Sequence, residues 1–156
     1  MNKKIKIILV LLTIITVFTI GCGSSVKKSD GYYNGIKWGS TIADLEQKLG
    51  DDDVVVADDK ASILQIIENF EEINGSQAWV MYFFENDRLC KISITPSVLP
   101  NNTTLTDADL NSQLYNILIE KYGECSDSDS LEKTWNTKNS VITMSASNYI
   151  EYVPNE

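Results

Sequence analysis

Twenty-two aspartates and glutamates stand in a chain of 156 residues that has no histidine, and these two facts set the chemistry available. Without an imidazole there is no Ser–His–Asp or Cys–His nucleophile, no ordinary general base near neutral pH, and little basis for a zinc site. Carboxylates remain. Asp51, Asp52 and Asp53 with Asp58 and Asp59, and Asp127 and Asp129 with Glu132, are the stretches in which acids gather closely enough for Ca²⁺. Neither follows the EF-hand spacing, with its central glycine and distal glutamate, so solvated acidic loops are expected and no metal ligand is assigned. A carboxylate pair for glycoside hydrolysis can be drawn in any chain this acidic, and abundance does not place it. No catalytic residue and no cofactor is assigned, and the chain is read as a non-enzyme.

The three cysteines are more informative. Cys22 ends a segment in which Lys3, Lys4 and Lys6 precede an apolar run over residues 7–20. That run is too short for the ~20 residues of a spanning helix and has the layout of an export signal. Thr19-Ile20-Gly21-Cys22 resembles the lipobox of bacterial lipoproteins, with Thr19 in place of the usual leucine. The resemblance implies removal of residues 1–21, a diacylglycerol on the Cys22 sulfur, and anchoring on the extracytoplasmic face of the cell membrane. Two or more acyl chains anchor stably where one gives only marginal binding. An ordinary secreted protein with an incidental Cys22 is the alternative. Cys90 and Cys125 are then the remaining thiols of an exported chain. A bridge between them and a buried free thiol at Cys90 both stay open.

Loss of residues 1–21 removes three lysines and no acid, leaving ten of the 13 basic residues against all 22 acidic ones, a net charge of −12. Such a surface repels nucleic acid and anionic headgroups, so no nucleic-acid partner is expected and membrane contact is assigned to the lipid alone.

Residues 22–34 are small and polar and read as a tether, and residues 35–156 as one domain. Ser40 or Thr41 caps a short helix with Asp44 in its first turn, Ile42, Leu45 and Leu49 on one face, and Gly50 as its stop. Thr106 caps a second helix with Asp109 three residues on, Leu110, Leu114, Ile117 and Leu118 as its stripe, and Gly123 at its end. The endings Gln47-Lys48-Leu49-Gly50-Asp51 and Glu120-Lys121-Tyr122-Gly123-Glu124 match well enough to suggest an internal duplication. Strands are expected at residues 62–71, 77–85 and 88–95, then at 131–136, 141–146 and 149–153. The fold class is α+β: two pseudo-repeats of one helix followed by about three antiparallel strands, with the helices packed on one sheet face.

Two-residue turns at Asn74-Gly75 and Asn86-Asp87 set an expected register. Phe83 then faces Cys90, Met81 faces Ile92 and Trp79 faces Ile94. Across the other turn, Phe70 faces Trp79 and Ile66 faces Phe83, with Glu68 a misfit opposite Met81. That face is taken as the core, with Trp38, Trp79 and Trp135 as anchors. The opposite face carries Ile67, Val80, Tyr82 and Phe84 beside Gln65, Asn69, Lys91 and Ser93. A half-apolar outer face suggests either an interaction surface or one covered by a loop, the tether or the other half of the sheet; on the first reading Ile67, Val80, Tyr82, Phe84 and Lys91 are the candidate protein-binding residues.

The segment Tyr33-Asn34-Gly35-Ile36-Lys37-Trp38-Gly39-Ser40, the helix ending in Leu49-Gly50, the hairpin Tyr82-Phe83-Phe84-Glu85-Asn86-Asp87-Arg88-Leu89 and the ending Lys121-Tyr122-Gly123 resemble small bacterial envelope lipoproteins. Their layout is similar to the β-lactamase-inhibitor-protein-like and SmpA/BamE-like domains. The resemblance implies a protein-binding or inhibitory module whose partner is an envelope or extracellular protein, and it carries over no catalytic residue. A surface protein binding Ca²⁺ or another small ligand is the alternative, and a hydrolase the weaker one.

Overall fold

The computed structural model describes residues 29–49, 55–56, 63–69, 73, 75–129 and 131–156, with backbone only at 55–56 and 63–69. The expected export signal, Cys22 and the first part of the expected tether lie outside the described residues, as do Gly50, Asn74 and the acids at 51–53 and 58–59.

Both helices begin as their first residues dictate. Helix α1 spans Ile42–Leu49. The Thr41 N–H donates to the Asp44 carboxylate at 2.9 Å, and the Asp44 N–H donates back to the Thr41 hydroxyl at 3.2 Å. Helix α2 spans Asp107–Tyr122 and uses the same reciprocal box between Thr106 and Asp109, at 3.2 and 3.1 Å. Each box satisfies amide donors that the first turn leaves unpaired. Gly123, at φ 87°, ends α2 in a conformation open to a residue without Cβ.

The strands are β1 Val55–Val56, β2 Ile63–Asn69, β3 Ser76–Glu85, β4 Arg88–Val98, β5 Asp127–Ser128, β6 Glu132–Asn136, β7 Ser140–Ser145 and β8 Ile150–Pro154. They form one sheet in the order β1-β2-β3-β4-β8-β7-β6-β5, and every neighbouring pair is antiparallel. Leu45 of α1 and Leu110, Leu114, Leu118 and Tyr122 of α2 join Val80, Tyr82, Ile92, Ile94, Ile142, Met144, Ile150 and Tyr152 in a single core. The fold is α+β with both helices on one sheet face, but the expected pair of helix-plus-three-strand repeats is not formed. Four strands follow each helix, because Val55–Val56 and Asp127–Ser128 add short outer strands, and β4 and β8 fuse all eight into a continuous sheet.

The register departs from expectation in two places. At the Asn86-Asp87 turn both central residues have positive φ, 51° and 60°, the primed geometry that suits a two-residue hairpin. Glu85 pairs with Arg88 and Phe84 with Leu89, in the expected register. The ladder then shifts by one, so that Phe83 pairs with Lys91, Tyr82 with Ile92 and Val80 with Ile94. Cys90 is the extra residue of this bulge, and its thiol donates to the Phe83 carbonyl at 3.4 Å. A slip of one turns a strand's partners over. Ile92 and Ile94 therefore stay in the core but meet Val80 and Tyr82 there, not Met81 and Trp79. Between β2 and β3 the offset is three, with Ile66 opposite Val80 and Ile67 opposite Trp79. Between these strands Ile73 is buried, and its carbonyl accepts from the Ser76 hydroxyl at 2.8 Å.

The last tether residues are part of the domain. Ser29 N–H donates to the Lys121 carbonyl and Asn139 N–H to that of Asp30. Tyr33 is buried against the Tyr152 ring, at 5.6 Å between centroids. Gly31 is buried at φ 101°, and a Cβ there would stand 1.8 Å from the Thr137 hydroxyl. Tyr33, seated against Tyr152, is what folds residues 29–34 back.

Candidate functional site

The face of the sheet away from the helices is built from alternate residues of β3, β4 and β8. On β3 these are Trp79, Met81 and Phe83, and their partners on β4 are Thr95, Ser93 and Lys91. Trp79 is 42% exposed, one of two large hydrophobic side chains left exposed among the described residues. Met81 and Phe83 are half-buried. The tryptophan expected as a core anchor at position 79 is thus on the outer face. Trp135 is buried, its indole donating to the Gly123 carbonyl at 2.8 Å. Trp38 is half-buried, its indole donating to the Asn139 carbonyl at 2.7 Å and the Ser140 hydroxyl at 3.0 Å.

Beside the apolar row runs a polar one. The Tyr149 hydroxyl lies 2.8 Å from that of Ser93 and donates to the Glu151 carboxylate at 3.0 Å. The same carboxylate oxygen is 3.5 Å from the Lys91 ammonium, which stands 4.3 Å from the centre of the Phe83 ring. Lys91 is therefore held by an anion on one side and a π-face on the other. Ser93 is fully buried beneath this network, which closes its hydroxyl to solvent.

Of the candidate binding residues, Lys91 is on this face and the backbone register puts Ile67 there too, opposite Trp79. Val80 and Tyr82 are completely buried and Phe84 is 5% exposed, all within the helix-covered core. The Cys90 bulge is the cause. It keeps β4 in place and brings the even-numbered residues of β3, not the odd-numbered ones, against Ile92 and Ile94. Ile67 pairs with Trp79 across β2 and β3. Lys91, Ser93 and Thr95, alternating with Ile92 and Ile94, do mark the outer face of β4 in the sequence. On β3 both faces are apolar, so no such mark exists, and Trp79, Met81 and Phe83 were missed. Tyr149 and Glu151 carry the signal in β8, alternating with Ile150 and Tyr152.

Cys90 and Cys125 are both free thiols. Cys125 lies just before β5, and the sheet order places four strand intervals between β4 and β5, on the order of 15 to 20 Å. A bridge needs Cα atoms within about 7 Å. The acids at Asp127, Asp129 and Glu132 serve the local turn: Asp129 accepts from the Leu131 and Glu132 amides at 2.7 and 2.6 Å, and Asp127 from the Ser128 amide at 2.8 Å. Those amides hold the Asp129 carboxyl below its ordinary range. Among the described residues no three His, Cys, Asp or Glu side chains converge as a metal site.

A surface cleft of about 710 Å³ lies elsewhere, between the start of α2, the end of β4 and the β7–β8 turn. Asp107, Asn111, Ser112 and Asn148 line it. Its amides are matched to one another, Asn111 donating to Asn148 at 2.7 Å and Asn148 to the Asp107 carbonyl at 3.4 Å. No helix among the described residues is long and apolar enough to cross a membrane. No protein-family model, curated protein or solved structure matches the chain.

Proposed function

We propose that this is a lipid-anchored envelope protein, tethered through Cys22, whose outer sheet face binds another envelope or extracellular protein without catalysis. The observation that carries the reading is the row Trp79–Met81–Phe83 on the sheet face that the helices leave open, bordered by the Lys91–Glu151 pair. An exposed tryptophan, a thioether and a phenyl ring in one row, with charge at the margin, match the make-up of protein interfaces, where such residues are enriched and charges collect at the rim. The envelope-lipoprotein resemblance of residues 33–40 and of the β3–β4 hairpin points the same way.

The test is crosslinking in the native envelope from a photoreactive residue at position 79, with one at position 111 as comparison. A discrete adduct from position 79 and none from 111 is expected. Adducts from 111 alone would transfer the function to the cleft and favour a ligand-binding reading. Cys22→Ser should move the protein out of the membrane fraction, and unchanged fractionation would remove the anchor from the proposal.

A further inference from the structure

The cleft between the start of α2, the end of β4 and the β7–β8 turn includes none of the outer-face residues Trp79, Met81, Phe83 and Lys91. Its volume of about 710 Å³ lies inside the range of about 300 to 1,000 Å³ usual for small-molecule sites. Such sites are mostly apolar, and this one is mostly polar. Three serines, Asn111, Asn148 and Asp107 line it beside Pro96 and two alanines.

Its carboxamides are fixed before any ligand arrives. Asn148 is buried, donates to the Asp107 carbonyl at 3.4 Å and accepts from the Asn111 amide at 2.7 Å. The same Asn111 nitrogen lies 3.5 Å from the Ala146 carbonyl. The donors of Asn111 are thus used by the fold, while its side-chain oxygen has no partner among the described residues. The Ser112 hydroxyl donates to the Ala108 carbonyl at 2.9 Å and keeps its lone pairs. The Ser97 hydroxyl and the Asp107 carboxylate have no partner among the described residues either. A ligand therefore meets positioned acceptors and hydroxyls, and little side-chain ordering is left for binding to impose.

These groups select a ligand by exclusion. The lining holds a carboxylate and no cation, which repels an anion. An apolar ligand would take water from the Asn111 oxygen and the Asp107 carboxylate and return no hydrogen bond. A small cation would meet a single carboxylate, exposed to water, where ion pairing is weak. A neutral polyhydroxyl ligand suits every group: its O–H groups donate to Asn111 and Asp107 and accept from the serines, and its C–H faces rest on Pro96 and the alanines. From this we infer that the cleft is a binding site for neutral saccharides, independent of the anchor and of the outer face. No aromatic ring lines it to stack on a sugar, so affinity should be weak, about 1 mM.

The experiment titrates the isotope-labelled full-length protein, in dodecylphosphocholine micelles, with maltotriose, cellotriose and chitotriose, each to about 20 mM, and follows side-chain amides by NMR. At least one sugar should shift the Asn111 and Asn148 amide resonances saturably and leave the Trp79 indole resonance in place. Asn111→Ala should weaken that sugar at least about tenfold, read at Asn148. Ala108→Leu, at an exposed position of the lining, should weaken it as much while the melting temperature stays unchanged. Inorganic phosphate and spermidine should move neither amide. No shift with any of the three sugars would overturn the inference, as would equal shifts from phosphate or spermidine, or a sugar response that survives both substitutions. A response at the Trp79 indole alone would put sugar binding on the outer face and overturn the cleft site.

Discussion

Strand β3 shows two faces of nearly equal hydrophobicity in opposite surroundings. Ala78, Val80, Tyr82 and Phe84 lie beneath the helices, and Trp79, Met81 and Phe83 face out beside Lys91, Tyr149 and Glu151. Strand β7 differs. There Ile142 and Met144 go inward while Val141 and Thr143 are half-buried. The burial free energy of the two β3 faces is too similar to choose between them, so the choice passes to geometry, and the geometry is the bulge that takes up the extra residue at Cys90. An apolar outer face is thus maintained by a backbone device, and it is available for binding because the helices cover the other side.

Reversing the chemistry of the inner face should produce the largest effect. Val80→Lys puts an unpaired ammonium in the helix-covered core opposite Ile94, and the loss should exceed about 5 kcal/mol and abolish cooperative unfolding in denaturant. Met81→Lys, one residue away on the outer face, should stay within about 1 kcal/mol of the parent. Deleting Cys90 makes the Phe84–Leu89 and Phe83–Lys91 pairs consecutive and leaves Ile92 and Ile94 inward, so that variant should keep both faces and still unfold cooperatively. Equal losses in the two lysine variants would show that the two faces of β3 are not distinguished as described.

Next in size is the contrast within β3. Phe84→Ala opens a cavity under the helices and should cost about 3 to 5 kcal/mol in chemical denaturation. Phe83→Ala, one residue away on the half-buried face, should cost no more than about 1 kcal/mol and should also release Lys91 from its ring contact. Equal losses at the two positions would mean that the outer face is itself covered.

The smallest effect concerns the cover. Thr106→Ala removes the α2 capping box and should cost about 1 kcal/mol. The Thr106 hydroxyl and amide hold the Asp109 carboxyl below its ordinary value of 3.8. A carboxyl depressed in the folded state stabilises fully above its unfolded pKa, and that contribution is lost as pH falls through the lower folded value. The gap in stability between parent and Thr106→Ala should therefore be complete near pH 6 and narrow once pH drops below the ordinary carboxylate range. A gap constant down to pH 2 would detach the cap from Asp109.

Both helices were legible from Thr41, Asp44, Thr106, Asp109 and Gly123, because caps act over three or four residues and the sequence contains both partners. Strands β6 to β8 were legible for a similar reason, with polar residues alternating cleanly against Ile142, Met144, Ile150 and Tyr152. The outer face was not, since a bulge at Cys90 has no polar or glycine marker and both sides of β3 are apolar. The two-residue strands were missed because Val55–Val56 and Asp127–Ser128 are too short for any period to show. Residues 29–34 looked like tether because Tyr33 finds its partner, Tyr152, more than a hundred positions away.

The position of β8 between β4 and β7 sets an order of events in time. Strand β8 is the keystone of the sheet, so as the chain emerges from synthesis the earlier strands must wait for residues 150–154 before the two flanking meanders can join. Until then β4 and β7 present open hydrogen-bonding edges, the form most prone to pairing with another chain. Loops closed by contacts this distant in sequence form slowly. A truncation before residue 150 should accordingly leave two unjoined sheets that associate between molecules, whereas loss of the last two residues, Asn155 and Glu156, leaves the join intact.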